Sequence, residues 1–290
     1  MRTGLRQALQ TGLLTTGVLA GAALPGLPAA ALDLTVGRVV VTQATQNAGD
    51  GVPLVADRRA LVRVFLLANA DNRARPRVRV RIQNGRKIRF QALADAPAAL
   101  SGVPVTLGAP VADAATPAWS VMIPAAAVKP GNTLTVEVDP DRRVRDSNRG
   151  NNTWPGRTPV ALAVTVSSPL QLVMVPLHRT LTRTTSAYQA ANAERYVEFT
   201  RRVHPVPESL SIASHAPFST SEDLSTQAGW SAVLNALEAM RRAEGSSGRH
   251  YVGLVAPPGA YSGLGYVGGF SVLSSDGPQT IDGGRTTGAS

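Results

Sequence analysis

Residues 76–93, Pro-Arg-Val-Arg-Val-Arg-Ile-Gln-Asn-Gly-Arg-Lys-Ile-Arg-Phe-Gln-Ala-Leu, constrain this chain more than any other stretch. Val78, Val80 and Ile82 alternate with Arg77, Arg79 and Arg81. A period of two puts the apolar side chains on one face of a strand and the arginines on the other, whereas a helix would scatter both sets. Asn84-Gly85 is a two-residue hairpin signal, because the tight turn needs positive φ, and 86–93 returns as the partner strand. A half-buried hairpin needs further strands to close its core. The chain supplies them at 34–43, 59–69, 118–124, 132–140 and 158–166, with a Gly/Pro/Asp turn region at 49–58. Seven or more short strands with frequent turns predict an all-β, Ig-like sandwich over 32–168.

The arginine row has two readings. It grips an anionic polymer, or it is a solvated sheet face that blocks unwanted edge pairing. The net charge of +10 suits polyanions in general. Nucleic-acid binding usually adds stacking aromatics, and only Phe90 is near. The expectation is therefore at most weak, salt-sensitive polyanion contact through Arg77, Arg79 and Arg81, and no specific nucleic acid. The sequence contains no cysteine, which excludes disulfides, thiolate metal sites and a cysteine nucleophile.

Residues 1–31 read as an export signal. Arg2 and Arg6 precede an uncharged, small-residue-rich stretch from Ala8 to Leu27, and Ala29-Ala30-Ala31 fits a cleavage site. Pro25 and Pro28 interrupt the stretch and no cationic stop follows, so a membrane anchor is the weaker reading. The expectation is an exported protein, periplasmic or extracellular, with its mature end at Leu32 and no stable membrane insertion.

Residues 136–155 crowd Asp139, Asp141, Asp146, Asn148, Asn151 and Asn152 into one loop. A calcium site is one reading; four interspersed arginines and the absence of an EF-hand spacing oppose it. The other is a turn network, since Asp and Asn side chains bond nearby backbone and tolerate left-handed conformations. Val138-Asp139-Pro140, this loop, and Asn151-Asn152-Thr153 entering a final strand resemble the end of a CARDB domain. CARDB domains are Ig-like sandwiches of exported bacterial proteins, used as adhesion or spacer modules. The resemblance spans about 33–166, is motif-like only over 138–153, and matches Asp146 to the family's acid.

The texture changes at Ser167-Ser168-Pro169. Residues 170–177 form a continuous apolar run, suited to a strand buried on both faces. Helical spacing follows at 186–205, with Tyr188, Ala191, Arg195, Phe199 and Val203 near one stripe. Residues 209–218 alternate as a short strand. The helix over 224–245 has an apolar face of Trp230, Val233, Leu234, Leu237 and Met240 and ends at Gly245. Residues 249–258 are another buried strand. The order β-α-β-α-β predicts a second, α/β region over 169–290.

Gly263-Leu-Gly-Tyr-Val-Gly-Gly269 matches the glycine spacing of a dinucleotide turn. That turn needs a following helix to hold the pyrophosphate, and the next residues, 270–275, have strand composition. With Tyr251, Gly253, Leu254 and Val255, the glycine segment instead resembles the part of exported zinc metallopeptidases that precedes their His-Glu-x-x-His helix. That resemblance implies a Gly-rich edge strand beside the cleft, with Gly263, Gly265, Tyr266 and Gly268 as substrate contacts, a protein or peptide substrate, and zinc in the full-length protein. The chain departs from the pattern. His178, His204, His215 and His250 include no pair at i, i+4, so no catalytic or metal-binding residue is assigned. The reading is a chain that ends before the zinc helix, with Thr286, Thr287 or Ser290 as that helix's N-cap. Ser262 has the wrong offset for a nucleophile elbow, and Glu222-Asp223 reads as helix-start charge. Two functions remain open: an exported zinc-metalloendopeptidase-like protein, inactive as given, and a non-enzymatic extracellular adhesion or binding module.

Overall fold

A computed structural model describes residues 31–44, 46–47, 49–107, 115–256 and 261–276, with the backbone of 280–282 and 285–287. The expected leader, apart from Ala31, and Ser290 lie outside the described residues. From Leu32 onward the chain forms one unit. Strand β1 (Leu34–Thr42) pairs antiparallel with β3 (Ala60–Ala68), and β3 pairs with β6 (Trp119–Ile123). The two-residue strand β2 (Leu54–Val55) lies in the turn region between β1 and β3. The arginine hairpin is β4 (Val78–Asn84) and β5 (Lys87–Ala94). Its turn residues are Gly85, at φ +55°, and Arg86, one position beyond the expected pair, and the register shifts at a bulge between Ile82 and Gln83.

β4 also pairs with β7 (Thr133–Val138), which carries β8 (Thr153–Trp154) and β9 (Val160–Ala161) on its other side. The strand expected over 158–166 is broken. Leu162 N–H donates to Asn132 C=O, but Ala163 C=O accepts from Leu54 N–H, so β10 (Val164–Thr165) leaves this sheet and pairs parallel with β2. The two sheets close on Leu34, Val62, Val64, Leu66 and Ile123 from one and Val78, Val80, Ile82, Leu134 and Val136 from the other, all buried. Fully burying such a side chain is worth about 1.5–3 kcal/mol. The product is the two-sheet, Ig-like sandwich that the alternation predicts.

After Pro169, β11 (Gln171–Arg179) is the hub of a seven-stranded sheet. β12 (Thr184–Thr185) folds back on its end, and helix α1 (Glu194–Val203) leads to β13 (Ser211–Ser214) and β14 (Phe218–Thr220), both parallel to β11 on one side. The expected single strand over 209–218 is thus two short ones. Helix α2 (Gln227–Ala243) crosses to β15 (His250–Val255), parallel to β11 on the other side. β16 (Gly263–Gly265) forms the far edge, antiparallel to β17 (Ser271–Ser275), which pairs parallel with β15. Alternate residues of β11 and β15 enter different cores. Val173, Val175, Leu177, Tyr251 and Val255 pack with α2; Met174 and Leu254 pack with Tyr188 and Tyr196. The helices therefore cover opposite faces. Backbone strands β18 (Thr280–Asp282) and β19 (Arg285–Thr287) form a separate pair, so Thr286 and Thr287 lie in a strand and not at a helix cap.

α2 matches its sequence closely. Thr226 caps it by accepting from Gly229 N–H at 3.1 Å, Gly245 ends it at φ +60°, and Trp230, Val233, Leu234 and Leu237 are buried. α1 does not. Its first turn is preceded by a 3₁₀ turn at Ala190–Asn192, Tyr188 lies outside the helix, and Phe199 and Val203 are exposed. The inward stripe runs through half-buried Ala193 and Tyr196 and buried Val197 instead.

The turn after β2 joins the sandwich to α1. Buried Arg58 donates to the carbonyls of Arg201 (2.7 Å), Arg202 (2.9 Å), His204 and Val206 (3.4 Å). Arg59 binds Glu208 through its backbone N–H and Nε, and Glu208 N–H donates to Asp57 C=O at 3.0 Å.

Candidate functional site

Ligands of open α/β sheets bind beyond the carboxyl ends of the strands, where the strand order reverses. Here the reversal falls between β11 and β15, because β13 and β14 lie to one side of β11 and β15 to the other. Arg179 ends β11, is buried, and reaches Ala256 C=O at 3.4 Å. Asp276, one residue past β17, is also buried. It accepts from Ser186 Oγ, from Tyr188 N–H at 3.1 Å and from Tyr196 Oη. Burial, then the bond to Asp276, pushes the Tyr196 phenol well above its ordinary value. Ser186 has a carboxylate beside it but no histidine: His178 Nδ1 is bonded to Thr185 Oγ1 at 2.8 Å. This cluster therefore clasps α1 to the end of the sheet.

The sequence-predicted contacts lie along the edge strand β16, next to β17. Gly263 and Gly265 are in β16, which among the described residues pairs on one side only. Ser275 N–H donates to Ser262 C=O at 2.8 Å. Antiparallel pairs alternate between bonded and non-bonded, so Leu264 faces β17 and the N–H and C=O groups of Gly263 and Gly265 face the open side. Tyr266 follows at 55% exposure, its Oη donating to Asn235 Oδ1 of α2 at 3.0 Å. Gly268 sits apart in a tight turn at φ +75°, closed by Gly269 N–H to Tyr266 C=O. Three exposed apolar neighbours escaped the sequence reading. Tyr261 stands edge-on to Trp230 at 5.7 Å, Val267 is fully exposed between Tyr266 and Gly268, and Phe270 lies under the Arg241 guanidinium at 4.9 Å.

α2 backs this edge through Glu238. Its carboxylate accepts from Arg241 Nε and Nη2 and Arg242 Nε, each at 2.8 Å, and from Ser271 Oγ at 2.7 Å. Arg241, then Ser271, then Arg242 hold it well below the ordinary glutamate value of 4.5. A depressed carboxyl stabilises the fold fully above the unfolded value and loses that contribution as pH falls toward the folded one. Acid unfolding should therefore steepen below about pH 4.5. Glu238→Gln should lower the melting temperature at neutral pH and flatten that acid slope; equal slopes in the two proteins would refute the assignment.

The arginine row is less free than its sequence suggests. Arg77 is bound to Asp141, Arg79 to Glu137 at 2.8 Å, and Arg81 Nε to Gln91 at 3.0 Å. The 136–155 loop is a turn network. Asp139, buried at φ +46°, accepts from the N–H groups of Arg143 and Val144 and from Arg149, while Asp146 accepts from Asn148 N–H and Asn152 Nδ2. Among the described residues no three His, Asp or Glu gather to hold a metal ion. The histidines do not fit a zinc site. His178 and His250 lie at opposite ends of adjacent parallel strands, His204 follows α1, and His215 is bonded to Glu244 at 2.9 Å. No described helix is long and apolar enough to cross a membrane.

No family model and no curated protein matches the chain. Among solved structures, the chain is similar to the CARDB domain of a Pyrococcus furiosus protein in complex with di-metal ions. The identity is 15%, the coverage 47% of this chain and 96% of that one, and the TM-score 0.29. It is also similar to a Bifidobacterium dentium beta-glucuronidase complexed with coumarin-3-O-glucuronide, at 13% identity and TM-score 0.25, covering 77% of this chain and 32% of the glucuronidase.

Proposed function

We propose that the chain is an exported binding protein whose α/β part takes up an extended polypeptide along β16. The observation that carries this reading is the row of outward backbone groups at Gly263 and Gly265. An incoming strand needs donors and acceptors at alternate residues of an open edge, and two glycines leave that approach free of side chains. Tyr266, Val267 and Phe270 flank the row as an apolar wall, and the bond to Asn235 fixes the Tyr266 ring. Glu238 with Arg241 and Arg242 supplies polar groups of both signs on the adjoining helix.

The resemblance to zinc metallopeptidases implies substrate along the same kind of strand, and peptide hydrolysis is the finer form of this reading. The described histidines do not fit the metal, so no chemical step is derived from them. The leader-like 1–31 segment supports export.

Reduced, carboxymethylated lactalbumin serves as an unfolded probe. Its binding should slow hydrogen exchange at Gly263 and Gly265. Gly265→Pro removes an N–H that points away from β17 and blocks strand addition while keeping the β16–β17 pair. That variant should bind the probe at least tenfold more weakly, by the loss of about 1.4 kcal/mol or more, with an unchanged melting temperature. Full binding by Gly265→Pro would overturn the reading.

A further inference from the structure

On the outer face of the five-stranded sheet lies a crevice of about 360 Å³, lined by arginines from two different segments. Arg79 and Arg81 come from β4, and Arg157 from the turn between β8 and β9. Thr135, Thr153 and Gln83 add neutral polar groups. One carboxylate is present, Glu137, and it is already bound to Arg79 Nη1. The remaining donors are unspent among the described residues. Arg79 Nε is buried with no partner, Arg81 uses only its Nε, and Arg157 makes no hydrogen bond or ion pair.

A concave site with three guanidinium groups and one spent acceptor is complementary to an oxyanion, which a guanidinium binds through paired N–H donors. We propose that this crevice is a subsite for one sulfated sugar residue of an anionic polysaccharide. The volume suits one such sugar. The threonine hydroxyls and the Gln83 amide match sugar hydroxyls. No aromatic side chain lines the crevice, which disfavours stacked nucleic-acid bases. The site lies on a sheet face and not at an edge, so an acidic peptide gains no strand pairing there. Arg77, bound to Asp141, lies outside the crevice. The subsite is independent of peptide uptake at β16.

The test titrates the whole protein with a heparin-derived hexasaccharide at about 0.15 M salt, followed by calorimetry. Arg81→Gln and Arg157→Gln should each weaken binding about tenfold, the loss expected for a charged hydrogen bond, and Arg77→Gln should leave it unchanged. Circular dichroism of all three variants should match the parent. Equal losses from all three arginines would show diffuse attraction and overturn the proposal. So would tighter binding of a single-stranded oligonucleotide or a poly-glutamate peptide of equal charge, or no binding of the hexasaccharide.

Discussion

Arg58→Ala should destabilise the chain by about 2–4 kcal/mol, the range for removing a buried, multiply bonded charge, and the loss should appear first in α1. The last carbonyls of a helix have no partners within it. In α1 those of Arg201 and Arg202, and the following ones of His204 and Val206, converge on one guanidinium delivered by the sandwich. The cation also sits at the negative end of the helix dipole. Burial draws the Arg58 guanidinium down from its ordinary value and the charge of Glu208 opposes this; an arginine stays protonated regardless. Without it, amides of 198–206 should exchange faster in hydrogen-exchange measurements, and the urea midpoint should fall. Arg58→Lys should recover only part, because an ammonium cannot fork across four carbonyls. An unchanged midpoint and unchanged exchange in Arg58→Ala would show that the sandwich and α1 are held together by other contacts.

Trp230→Ala should cost about 3–5 kcal/mol, as expected for deleting a buried indole. Trp230 is fully buried, donates from Nε1 to Leu224 C=O at 2.8 Å, and packs among Val173, Leu177, Leu237 and Leu273. The alanine leaves both a cavity and an unpaired carbonyl. Trp230→Phe should cost less, because it refills most of the volume and forfeits only the hydrogen bond. The indole also supports Tyr261 beside β16, so the alanine variant should bind the unfolded probe more weakly even below its melting temperature. Denaturant midpoints for the three proteins measure the first effect, and coincident curves would refute it.

The elements legible in the sequence are those whose signals are local. Val78, Val80 and Ile82 specify a strand because their partners face one core, and α2 carries its own N-cap, apolar face and terminating glycine. The two-sided burial of β11 follows from its unbroken apolar run. The spacing of α1 misses its packed face because that face depends on remote groups. Tyr188 and Tyr196 are positioned by Asp276, which lies 80 or more residues away, and that pull sets the helix rotation against its own hydrophobic spacing. The break at Leu162 likewise needs the distant β2 to explain it. Arg58 gave no local sign, since its partners stand 143 to 148 residues along the chain. At the candidate edge, Gly263, Gly265 and Tyr266 were named from resemblance. Tyr261, Val267 and Asn235 emerge only when α2 and β16 are seen side by side. In the oxygen-rich loop at 136–155, only backbone geometry shows that Asp139 turns inward to bond the loop's own N–H groups while Asp141 turns out to Arg77.

The side of β16 that is unpaired among the described residues also bears on solubility. Exposed edges are commonly protected by a lysine, a proline or a bulge, and Gly263-Leu264-Gly265 has none of these. Two copies brought edge to edge could register their glycines and pair as strands. The net positive charge keeps copies apart in dilute buffer. Salt shortens the reach of that repulsion without weakening backbone hydrogen bonds. This protein should therefore self-associate more readily as ionic strength rises, the reverse of what a purely ionic contact would do, and an unfolded peptide occupying the edge should keep it monomeric.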